Sequence, residues 1–381
     1  MRRVLWIIPT LSRDFGGPSS TAVNGVIAEN RSGIEAELIT TVDRQAGSVD
    51  PGIQRLTQNQ VAVRTFPRSD WISKSEAWGM SLKMTFWMLR NVRSFDVIHL
   101  QYVWCWTSIW GSILGKMFRI PVVMTPHESL TDYDIDVASN GGAKRAVKLL
   151  LRQFFLRTVD QFIFMSELEV RDTRSGPVPY RLISHAVVEE PHDPPTPVDR
   201  EPGPLRIAFL GRNVAKKGID RIITAMAANR DKGWELFVAG PPGPESFVEH
   251  CQALSQDLGI ENNVHWLGFV EDRTDLLKRC DVLAMPSAYE GFGMAAAEAM
   301  SHAVPVIVPK DSGVAEIVSE FKAGIVLEAP TAEILEQALV EFDSSRDKWQ
   351  DYRENGIRSV NSRLTYAAYA SATDQLYGSL L

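Results

Sequence analysis

The sequence predicts an α/β protein made of two doubly wound domains in tandem. Short apolar runs alternate with longer amphipathic stretches, which is typical of parallel sheets covered by helices on both faces. The 381 residues exceed what one core usually serves. A proline-rich stretch, Glu189 to Pro204, divides the alternation in two and fits neither a helix nor a central strand. We therefore expect a first domain over 1–188, a linker over 189–204 and a second domain over 205–363.

In the first half, seven apolar runs predict strands and five amphipathic stretches predict helices. The predicted strands are Arg3–Pro9, Glu35–Thr41, Val61–Phe66, Asp96–Leu100, Pro121–Thr125, Gln161–Met165 and Arg181–Ser184. The predicted helices are Ser19–Arg31, Ser81–Val92, Thr107–Phe118, Gly142–Arg157 and Glu167–Thr173.

The second half repeats the alternation after the linker, and two more helices are predicted beyond residue 345. The predicted strands are Leu205–Leu210, Trp234–Ala239, Val264–Leu267, Val282–Met285, Pro305–Val308 and Ile325–Leu327. The predicted helices are Lys217–Ala228, Glu245–Leu258, Arg273–Arg279, Phe292–Ser301, Val314–Glu320 and Thr331–Phe342. In such doubly wound units, ligands bind beyond the carboxyl ends of the strands.

Composition excludes several classes of protein. The chain is 45% hydrophobic and 23% charged, which is globular rather than disordered. Its net charge of −7 argues against bulk nucleic-acid binding. Residues 1–185 carry 22 basic and 17 acidic side chains, and the remainder carries 18 and 30, so a weakly basic half precedes an acidic one.

The apolar and cysteine patterns indicate a cytoplasmic protein. The N-terminal apolar run ends at Pro9 and is too short for a secretion signal. No apolar run reaches 18 residues, so no membrane-spanning helix is expected. Cys105, Cys251 and Cys280 lack metal-site spacing and are interpreted as small buried hydrophobes in a reducing compartment. We therefore expect no metal site.

The segment Met285–Ser301, MPSAYEGFGMAAAEAMS, joins a predicted strand to a predicted helix through a glycine-containing turn. Glycine lets a backbone approach a ligand closely, and the first amides of a helix attract phosphate or hydroxyl groups. Glu290 precedes the helix and Glu298 lies two turns inside it, so the two carboxylates suit separate points on an extended ligand. The alternative is a tight turn with one capping and one solvated glutamate.

A basic cluster lies in the segment AFLGRNVAKKGID, directly after the first predicted strand of the second domain. Arg212 offers a planar fork for phosphate oxygens, and Lys216 and Lys217 are point charges. The alternative is ordinary surface charge, with Lys216 the more solvent-facing lysine. Because the surrounding domain is acidic, we favour a phosphate-binding role.

Together these segments resemble the retaining GT-B glycosyltransferases of glycosyltransferase family 4, also called glycosyl transferases group 1. EGFGMAAAE is similar to the family's E-x7-E motif, and GRNVAKKGID to its G-R-x4-K-G-[IL]-[DE] motif. The resemblance covers the chain but is strong only from about 205 to 328. It implies two Rossmann-like domains facing across a cleft, with acceptor bound by the first domain and nucleotide sugar by the second. It also implies that a final helix, about Leu364–Leu381, crosses back to the first domain.

The resemblance assigns roles to residues of the second domain. Glu290 would contact the donor sugar, and Glu298 the ribose hydroxyls. Arg212 and Lys217 would hold the diphosphate. The backbone amides expected to contact sugar hydroxyls belong to Phe292, Gly293 and Met294.

In the first domain, the resemblance assigns Gly16 and Gly17 to a loop that approaches the donor phosphate. His127, in TPHES, would contact a hydroxyl or the transferred centre of the reacting sugar. The sequence departs from the family pattern at Glu128, where Gly or Asp is common, and at SHAVVEE, which includes His185. Contacts usually made by that second segment are therefore in doubt.

The expected reaction is transfer of a hexosyl group from a UDP- or GDP-sugar, with retention and without a metal or other cofactor. The acceptor would be a glycan or lipid-linked saccharide, in polysaccharide or glycolipid biosynthesis. Two alternatives stay open: a nucleotide-sugar epimerase or hydrolase of the same fold, and a non-catalytic module that binds nucleotide sugar. A dinucleotide-dependent oxidoreductase is disfavoured because no GxGxxG follows the first strand.

The helix predicted within residues 141–158 suggests a peripheral association with the anionic inner face of the cytoplasmic membrane. Lys144, Lys148 and Arg152 form a basic stripe. The apolar residues assigned to another face are Val147, Leu150, Leu151 and Phe154. The alternative is a sheet-covering helix with a solvated basic face.

Two further features are assigned no chemistry. The segment TDYDID, with Asp132, Asp134 and Asp136, is interpreted as a solvated acidic loop rather than a D-x-D metal site. His99, inside a predicted strand, is interpreted as a histidine whose hydrogen bonds are satisfied in the core or at the cleft rim.

Overall fold

The computed structural model describes residues 1–12, 15–43, 50–69, 75–137, 142–173, 178–195, 203–270 and 272–381. Part of the expected linker, residues 196–202, lies outside these ranges. The chain divides into two compact units. The first comprises Met1–Glu190 with Leu364–Leu381, and the second comprises Pro191–Arg363.

The first unit contains a seven-stranded, all-parallel sheet in the order β3-β2-β1-β4-β5-β6-β7. Its strands are β1 (Arg3–Ile7), β2 (Glu35–Val42), β3 (Val63–Pro67), β4 (Val97–Gln101), β5 (Val122–Thr125), β6 (Gln161–Phe164) and β7 (Tyr180–Leu182). Its helices are α1 (Gly17–Arg31), α2 (Pro51–Gln58), α3 (Leu82–Asn91), α4 (Trp106–Phe118), α5 (Gly142–Thr158), α6 (Glu167–Thr173) and α14 (Tyr366–Leu380).

The second unit contains a six-stranded, all-parallel sheet in the order β10-β9-β8-β11-β12-β13. Its strands are β8 (Arg206–Leu210), β9 (Glu235–Ala239), β10 (Val264–Gly268), β11 (Val282–Ala284), β12 (Val306–Pro309) and β13 (Gly324–Leu327). Its helices are α7 (Ile219–Ala227), α8 (Glu245–Asp257), α9 (Thr274–Arg279), α10 (Met294–Ser301), α11 (Ala315–Phe321), α12 (Ala332–Ser344) and α13 (Trp349–Arg363).

The predicted α/β class with two parallel, Rossmann-like sheets is confirmed. Side chains of a strand alternate between the two faces of its sheet. In β1, Val4 and Trp6 accordingly join one hydrophobic cluster, and Leu5 and Ile7 join the cluster on the other side. Both faces are therefore buried under helices, which explains why the strands are continuously apolar.

The helix α2 is absent from the sequence-based prediction. Its N-terminus is set by Asp50, whose side chain accepts a hydrogen bond from the Gly52 amide at 2.8 Å, with Pro51 at the first helical position. Only Leu56 of this helix is buried, so the apolar pattern that reveals longer helices is missing.

The C-terminal helix α14 belongs to the first unit, where it packs against α1. Thr365 caps it by accepting a hydrogen bond from the Ala368 amide at 3.1 Å. Tyr366, Tyr369 and Tyr377 point into the hydrophobic cluster of that face. The helix therefore adds to this core residues that lie more than 330 positions after α1 in the sequence.

Candidate active site

Each sheet reverses its winding at one point, where strands distant in sequence become neighbours. In the second unit this point lies between β8 and β11, which pair at Ile207↔Val282 and Ala208↔Leu283. Segments that leave the carboxyl ends of such strands frame the usual ligand crevice of open α/β sheets. The segment with Arg212 and Lys217 leaves β8, and that with Glu290 leaves β11, so topology brings the two sequence motifs together.

Lys217 and Glu290 form an ion pair in this crevice, with the lysine Nζ donating to Glu290 Oε1. Both side chains are largely buried. Burial alone would raise the pKa of Glu290, but the charges of Lys217 and Lys216 and the Lys217 hydrogen bond outweigh it and hold the pKa below its usual value. Glu290 is therefore a carboxylate that can only accept hydrogen bonds.

The loop that carries Lys217 packs closely on the loop that carries Glu290. The Ala288 amide donates to the Lys216 carbonyl at 2.8 Å, and Lys216 Nζ lies 5.7 Å from the centre of the Tyr289 ring. Gly218 has φ 77°, and a Cβ there would lie 2.5 Å from the Pro286 carbonyl oxygen. Only glycine permits this approach, which explains the Lys-Gly pair of the motif.

The turn before α10 is built from backbone contacts with the loop after β12. The Glu290 amide donates to the Asp311 carbonyl at 3.0 Å, and the Gly313 amide donates to the Glu290 carbonyl at 3.0 Å. Gly293 starts the helix at φ 105°, where a Cβ would lie 2.9 Å from Ser312 Oγ. The turn thus places the first amides of α10, beginning at Met294, beyond the carboxyl end of β11, where they have no partner within the helix. The Phe292 carbonyl accepts from the Val314 amide at 2.6 Å.

Arg212 follows β8 directly and is exposed. Among the described residues its guanidinium has no hydrogen-bond or ion-pair partner. The neighbouring backbone is tightly packed, because a Cβ on Gly240 would lie 1.9 Å from the Gly211 carbonyl oxygen. Arg212 therefore extends from a rigid strand end with its guanidinium unoccupied.

Glu298, on α10, pairs with Arg273, whose Nη1 donates to Glu298 Oε2 at 2.6 Å. Both side chains are partly exposed. Arg273 immediately precedes α9, and no motif in the sequence singles it out. Its contact with Glu298 joins positions 25 apart in the sequence and becomes visible only in the folded chain.

In the first unit, His127 follows β5 in a left-handed conformation with φ 53°, and Glu128 continues it with φ 59°. The buried carboxylate of Glu169 accepts hydrogen bonds from the amides of Glu128 at 2.8 Å and Met165 at 3.0 Å. Burial raises the pKa of Glu169 to about 7 despite these hydrogen bonds. The carboxylate therefore anchors a strained turn that sequence inspection did not assign to any partner.

The His127 ring is buried and held on two sides. Its Nε2 lies 2.7 Å from Gln101 Oε1, and its ring stacks on His185 at 5.8 Å between centroids. Burial lowers the pKa of His127 to about 3, so the ring is neutral. His185, from the segment that departs from the family pattern, is thus a direct neighbour of His127.

Gly16 and Gly17 lie at the start of α1, after β1. Gly16 has φ 72°, and a Cβ at either glycine would meet no atom of the described residues within 4 Å. As far as the described residues extend, the backbone on this side is accessible to a ligand. Of the predicted site residues, these two glycines and His127 belong to the first unit, and all the others belong to the second.

The predicted basic stripe of α5 is wrong for two of its three residues. Lys148 and Arg152 are buried, and they pair with Asp134 at 2.6 Å and Asp132 at 3.1 Å. The segment TDYDID is accordingly not a solvated loop, since Asp134 and Asp132 pair with the charges of Lys148 and Arg152 on α5. In contrast, Leu150 is 73% exposed, so the solvent face of α5 is partly apolar.

Two tests for other site types gave negative results within the described ranges. No three His, Cys, Asp or Glu side chains there are placed to hold a metal ion. No helix there combines the length and apolarity that crossing a membrane requires.

Comparison with known families identifies both units. Residues 197–359 match the family model for glycosyl transferases group 1, and residues 16–184 match that for the glycosyl transferase 4-like domain. D-inositol 3-phosphate glycosyltransferase of Corynebacterium glutamicum is 23% identical over 389 residues, covering 96% of this chain and 92% of that protein. Lipopolysaccharide glucosyltransferase WaaG of Escherichia coli is 28% identical over 179 residues, covering 45% and 46%.

Solved structures show the same fold. Anabaena HepE in complex with UDP and glucose has a TM-score of 0.78 over the whole of both chains, at 17% identity. Because the two family models together span residues 16–184 and 197–359, the chain belongs to the glycosyltransferases of this group 1 and 4-like type, which is family 4 of the GT-B fold.

Proposed function

We propose that this glycosyltransferase moves a hexosyl group from a UDP- or GDP-sugar to a glycan or lipid-linked saccharide, with retention at the anomeric carbon. The proposed setting is polysaccharide or glycolipid biosynthesis. The observation that carries the proposal is the largely buried Lys217–Glu290 pair at the sheet's switch point, together with Arg212, whose side chain pairs with none of the described residues. A UDP donor is further supported by HepE, which has been solved with UDP and with UDP-glucose.

The proposed chemistry rests on charge. A nucleoside diphosphate gains negative charge as it leaves the sugar, and preorganised positive groups stabilise that charge. We assign this task to Lys217, Arg212 and the N-terminus of α10, and we propose that these groups make a metal or other cofactor unnecessary. On donor binding, Lys217 would turn to the diphosphate, and Glu290 would accept hydrogen bonds from sugar hydroxyls.

Other predicted residues would position the donor. Glu298 would accept hydrogen bonds from the ribose hydroxyls, with Arg273 orienting its carboxylate. The amides of Phe292, Gly293 and Met294 would face sugar hydroxyls. The open backbone at Gly16 and Gly17 would approach the phosphates, and His127 would contact a sugar hydroxyl.

The proposed reaction proceeds on one face of the sugar. The acceptor oxygen forms a bond to the anomeric carbon as the bond to the phosphate oxygen breaks. The acceptor's proton passes to the leaving phosphate, so no side-chain nucleophile is needed. A single same-face displacement retains the anomeric configuration.

The test is a screen of UDP- and GDP-sugars for thermal stabilisation, followed by turnover with saccharide acceptors in EDTA. The proposal predicts a product whose anomeric proton coupling, measured by NMR, matches that of the donor. An inverted product would refute retention. Donor consumption without acceptor would favour an epimerase or hydrolase, and stabilisation without any turnover would favour a binding module.

We also propose that the first unit associates with an anionic membrane surface, through α3, α4 and α5 rather than through the predicted stripe. Helix α4 packs against both α3 and α5. Large apolar side chains exposed on these helices are Leu82, Phe86, Leu89, Ile113, Met117, Val147 and Leu150. Exposed basic side chains on the same helices, such as Lys83 and Lys144, would meet lipid phosphates.

A further inference from the structure

A continuous chain of buried hydrogen bonds leads from α1 to His127 in the first unit. Glu29 on α1, Tyr377 on α14, and His99 and Gln101 on β4 are all buried. The linking distances are 2.8 Å from Tyr377 Oη to Glu29 Oε1, 2.7 Å from His99 Nδ1 to Tyr377 Oη, and 2.9 Å from Gln101 Nε2 to His99 Nε2. The last link, from His127 Nε2 to Gln101 Oε1, is 2.7 Å.

One end of this chain fixes its direction. The indole N–H of Trp6 can only donate, and it donates to Glu29 Oε2 at 2.8 Å. Tyr377 donates to the other carboxylate oxygen. The hydroxyl proton of Tyr377 is used in this hydrogen bond, so the Tyr377 oxygen can only accept from His99. The single proton of neutral His99 therefore lies on Nδ1.

The same reasoning extends to His127. His99 Nε2 is then an acceptor, so the amide of Gln101 turns its NH2 group toward His99 and its oxygen toward His127. That oxygen can only accept, so His127 carries its proton on Nε2. The pKa of His99, like that of His127, is lowered to about 3, first by burial, so each ring is neutral with one proton to place.

We propose that Glu29, Tyr377, His99 and Gln101 are positioning residues that hold the His127 proton on Nε2 and leave Nδ1 as the acceptor for a substrate hydroxyl. Nδ1 of His127 has no hydrogen-bond partner among the described residues. The inference rests on the proposed function, in which His127 contacts a sugar hydroxyl. It adds that the sugar hydroxyl donates this hydrogen bond and the His127 ring accepts it. This direction is set by Glu29 and Tyr377, at the other end of the hydrogen-bond chain.

Two substitutions act on the chain in different ways. In Glu29→Gln, the amide oxygen must face Trp6, so the amide NH2 faces Tyr377 and donates to it. Tyr377 then donates to His99 Nδ1, so the His99 proton moves to Nε2, which lies 2.9 Å from both Thr125 Oγ1 and Gln101 Nε2. Because an N–H cannot face the NH2 group of Gln101, that amide turns its oxygen toward His99 and its NH2 group toward His127, which moves the His127 proton to Nδ1. Tyr377→Phe breaks the chain and leaves both tautomers of His127 populated. Tyr366→Phe is the control, since it removes from the same helix a hydroxyl that accepts from Arg55 at 2.7 Å and lies outside the chain.

The tautomer can be read directly by NMR of protein labelled with ¹⁵N-histidine, assigned with His127→Gln. The measurement is made at about pH 9, where Glu29, with a pKa of about 7, is ionised. The groups that face Glu29 are Trp6 from β1 and, from α14, Tyr369, Thr373, Tyr377 and the charged Asp374. The expected result is an Nε2-H ring in the wild type and the control, an Nδ1-H ring in Glu29→Gln, and a mixture in Tyr377→Phe.

Kinetics supply a second readout. At the same pH of about 9, where Glu29 is ionised, Glu29→Gln should lower kcat/KM about tenfold, the effect of one lost hydrogen bond, while Tyr366→Phe leaves it unchanged. An Nδ1-H ring in the wild type, or the same tautomer in wild type and Glu29→Gln, would overturn the proposal. A reversed tautomer with unchanged kcat/KM would overturn the acceptor role of Nδ1. The NMR experiment needs no substrate. A failure of the proposed function would appear as absence of turnover by the wild type, whereas a failure of the hydrogen-bond proposal would appear in the His127 tautomer.

Discussion

Lys217 and Arg212 share a proposed role in binding diphosphate, but their surroundings in the donor-free protein differ. Lys217 is largely buried against Glu290, whereas the Arg212 side chain is exposed and pairs with none of the described residues. Removing one member of a buried ion pair leaves an uncompensated charge, which is strongly destabilising. Stability and activity should therefore separate at these two residues.

We expect Lys217→Ala and Arg212→Ala each to lower kcat by at least about 100-fold, because each removes positive charge from the leaving group. Lys217→Ala should also lower the free energy of unfolding by about 3 kcal/mol, and Arg212→Ala should leave it unchanged. Urea unfolding and initial rates measure the two effects. Lys310→Ala is the control, since Lys310 pairs with exposed Glu328; near-normal turnover in both site variants would refute the assignment.

Glu29 makes stability depend on pH. Burial raises its pKa to about 7, although hydrogen bonds from Tyr377 and Trp6 lower it. The folded state therefore binds a proton more tightly than the unfolded state, whose carboxyl keeps the usual pKa. This contribution to stability is complete below about pH 4.5 and is lost as the pH rises to about 7.

Raising the pH from about 4.5 to about 8 should lower the free energy of unfolding through Glu29 by on the order of 3 kcal/mol. Glu29→Gln should remove this part of the pH dependence and leave the part due to Glu169, whose pKa is also raised to about 7. Urea titrations at several pH values measure the difference. An identical pH dependence in wild type and variant would contradict the prediction.

In helix α5 the predicted helical period is correct, but the prediction of which face is exposed to solvent is wrong. Its basic stripe exists, but Lys148 and Arg152 turn inward to Asp134 and Asp132. Long basic side chains can be buried when a carboxylate partner is available. The partners lie in a segment some 14 to 20 residues earlier, so helix periodicity alone could not show which face was covered.

If α3 and α5 meet a membrane, apolar exposed residues should matter more than the buried lysine. We expect Phe86→Glu and Leu150→Glu to abolish sedimentation with vesicles of anionic lipid, since they add negative charge to exposed apolar positions. Both variants should retain the wild-type melting temperature. Leu381→Glu, at another exposed apolar position, is the control. Absence of wild-type binding at low salt would refute the membrane proposal.

The two units have separate hydrophobic cores, and the nucleotide-binding residues proposed above lie in the second. A ligand that binds one folded unit stabilises that unit by mass action. We expect UDP or GDP at about 100 times its Kd to stabilise the second unit by about 2.7 kcal/mol. Calorimetry should show the nucleotide shifting one transition and Glu29→Gln shifting the other; a shift of the same transition by both would contradict this.

Much of the fold could be predicted from local patterns, because strands and helices buried on one or both faces impose an apolar period that is visible in the sequence. The predicted ends of helices α7 to α12 of the second unit lie within about two residues of the observed ends. In the first unit, α2 was missed because it buries only Leu56 and so leaves no period to detect.

The candidate site was predictable only where a motif marks it. Lys217 and Glu290 stand in recognisable segments 73 positions apart, and their pairing follows from strand order. Arg273 and Glu169 carry no such mark, since one orients Glu298 and the other holds the turn at His127 through contacts made in the folded chain. The roles of all these residues in transfer stay predictions until they are measured.

Periodicity and two motifs were sufficient to predict a tandem α/β glycosyltransferase and the residue types proposed for its donor site, because those features are local in the chain. The partners of those residues depended on the tertiary structure. His99 and Tyr377 are 278 positions apart, and only the packing of α14 on the first unit brings their polar atoms to 2.7 Å. The charges of α5 likewise depended on the tertiary structure, because the fold buries Lys148 and Arg152 in ion pairs with Asp134 and Asp132.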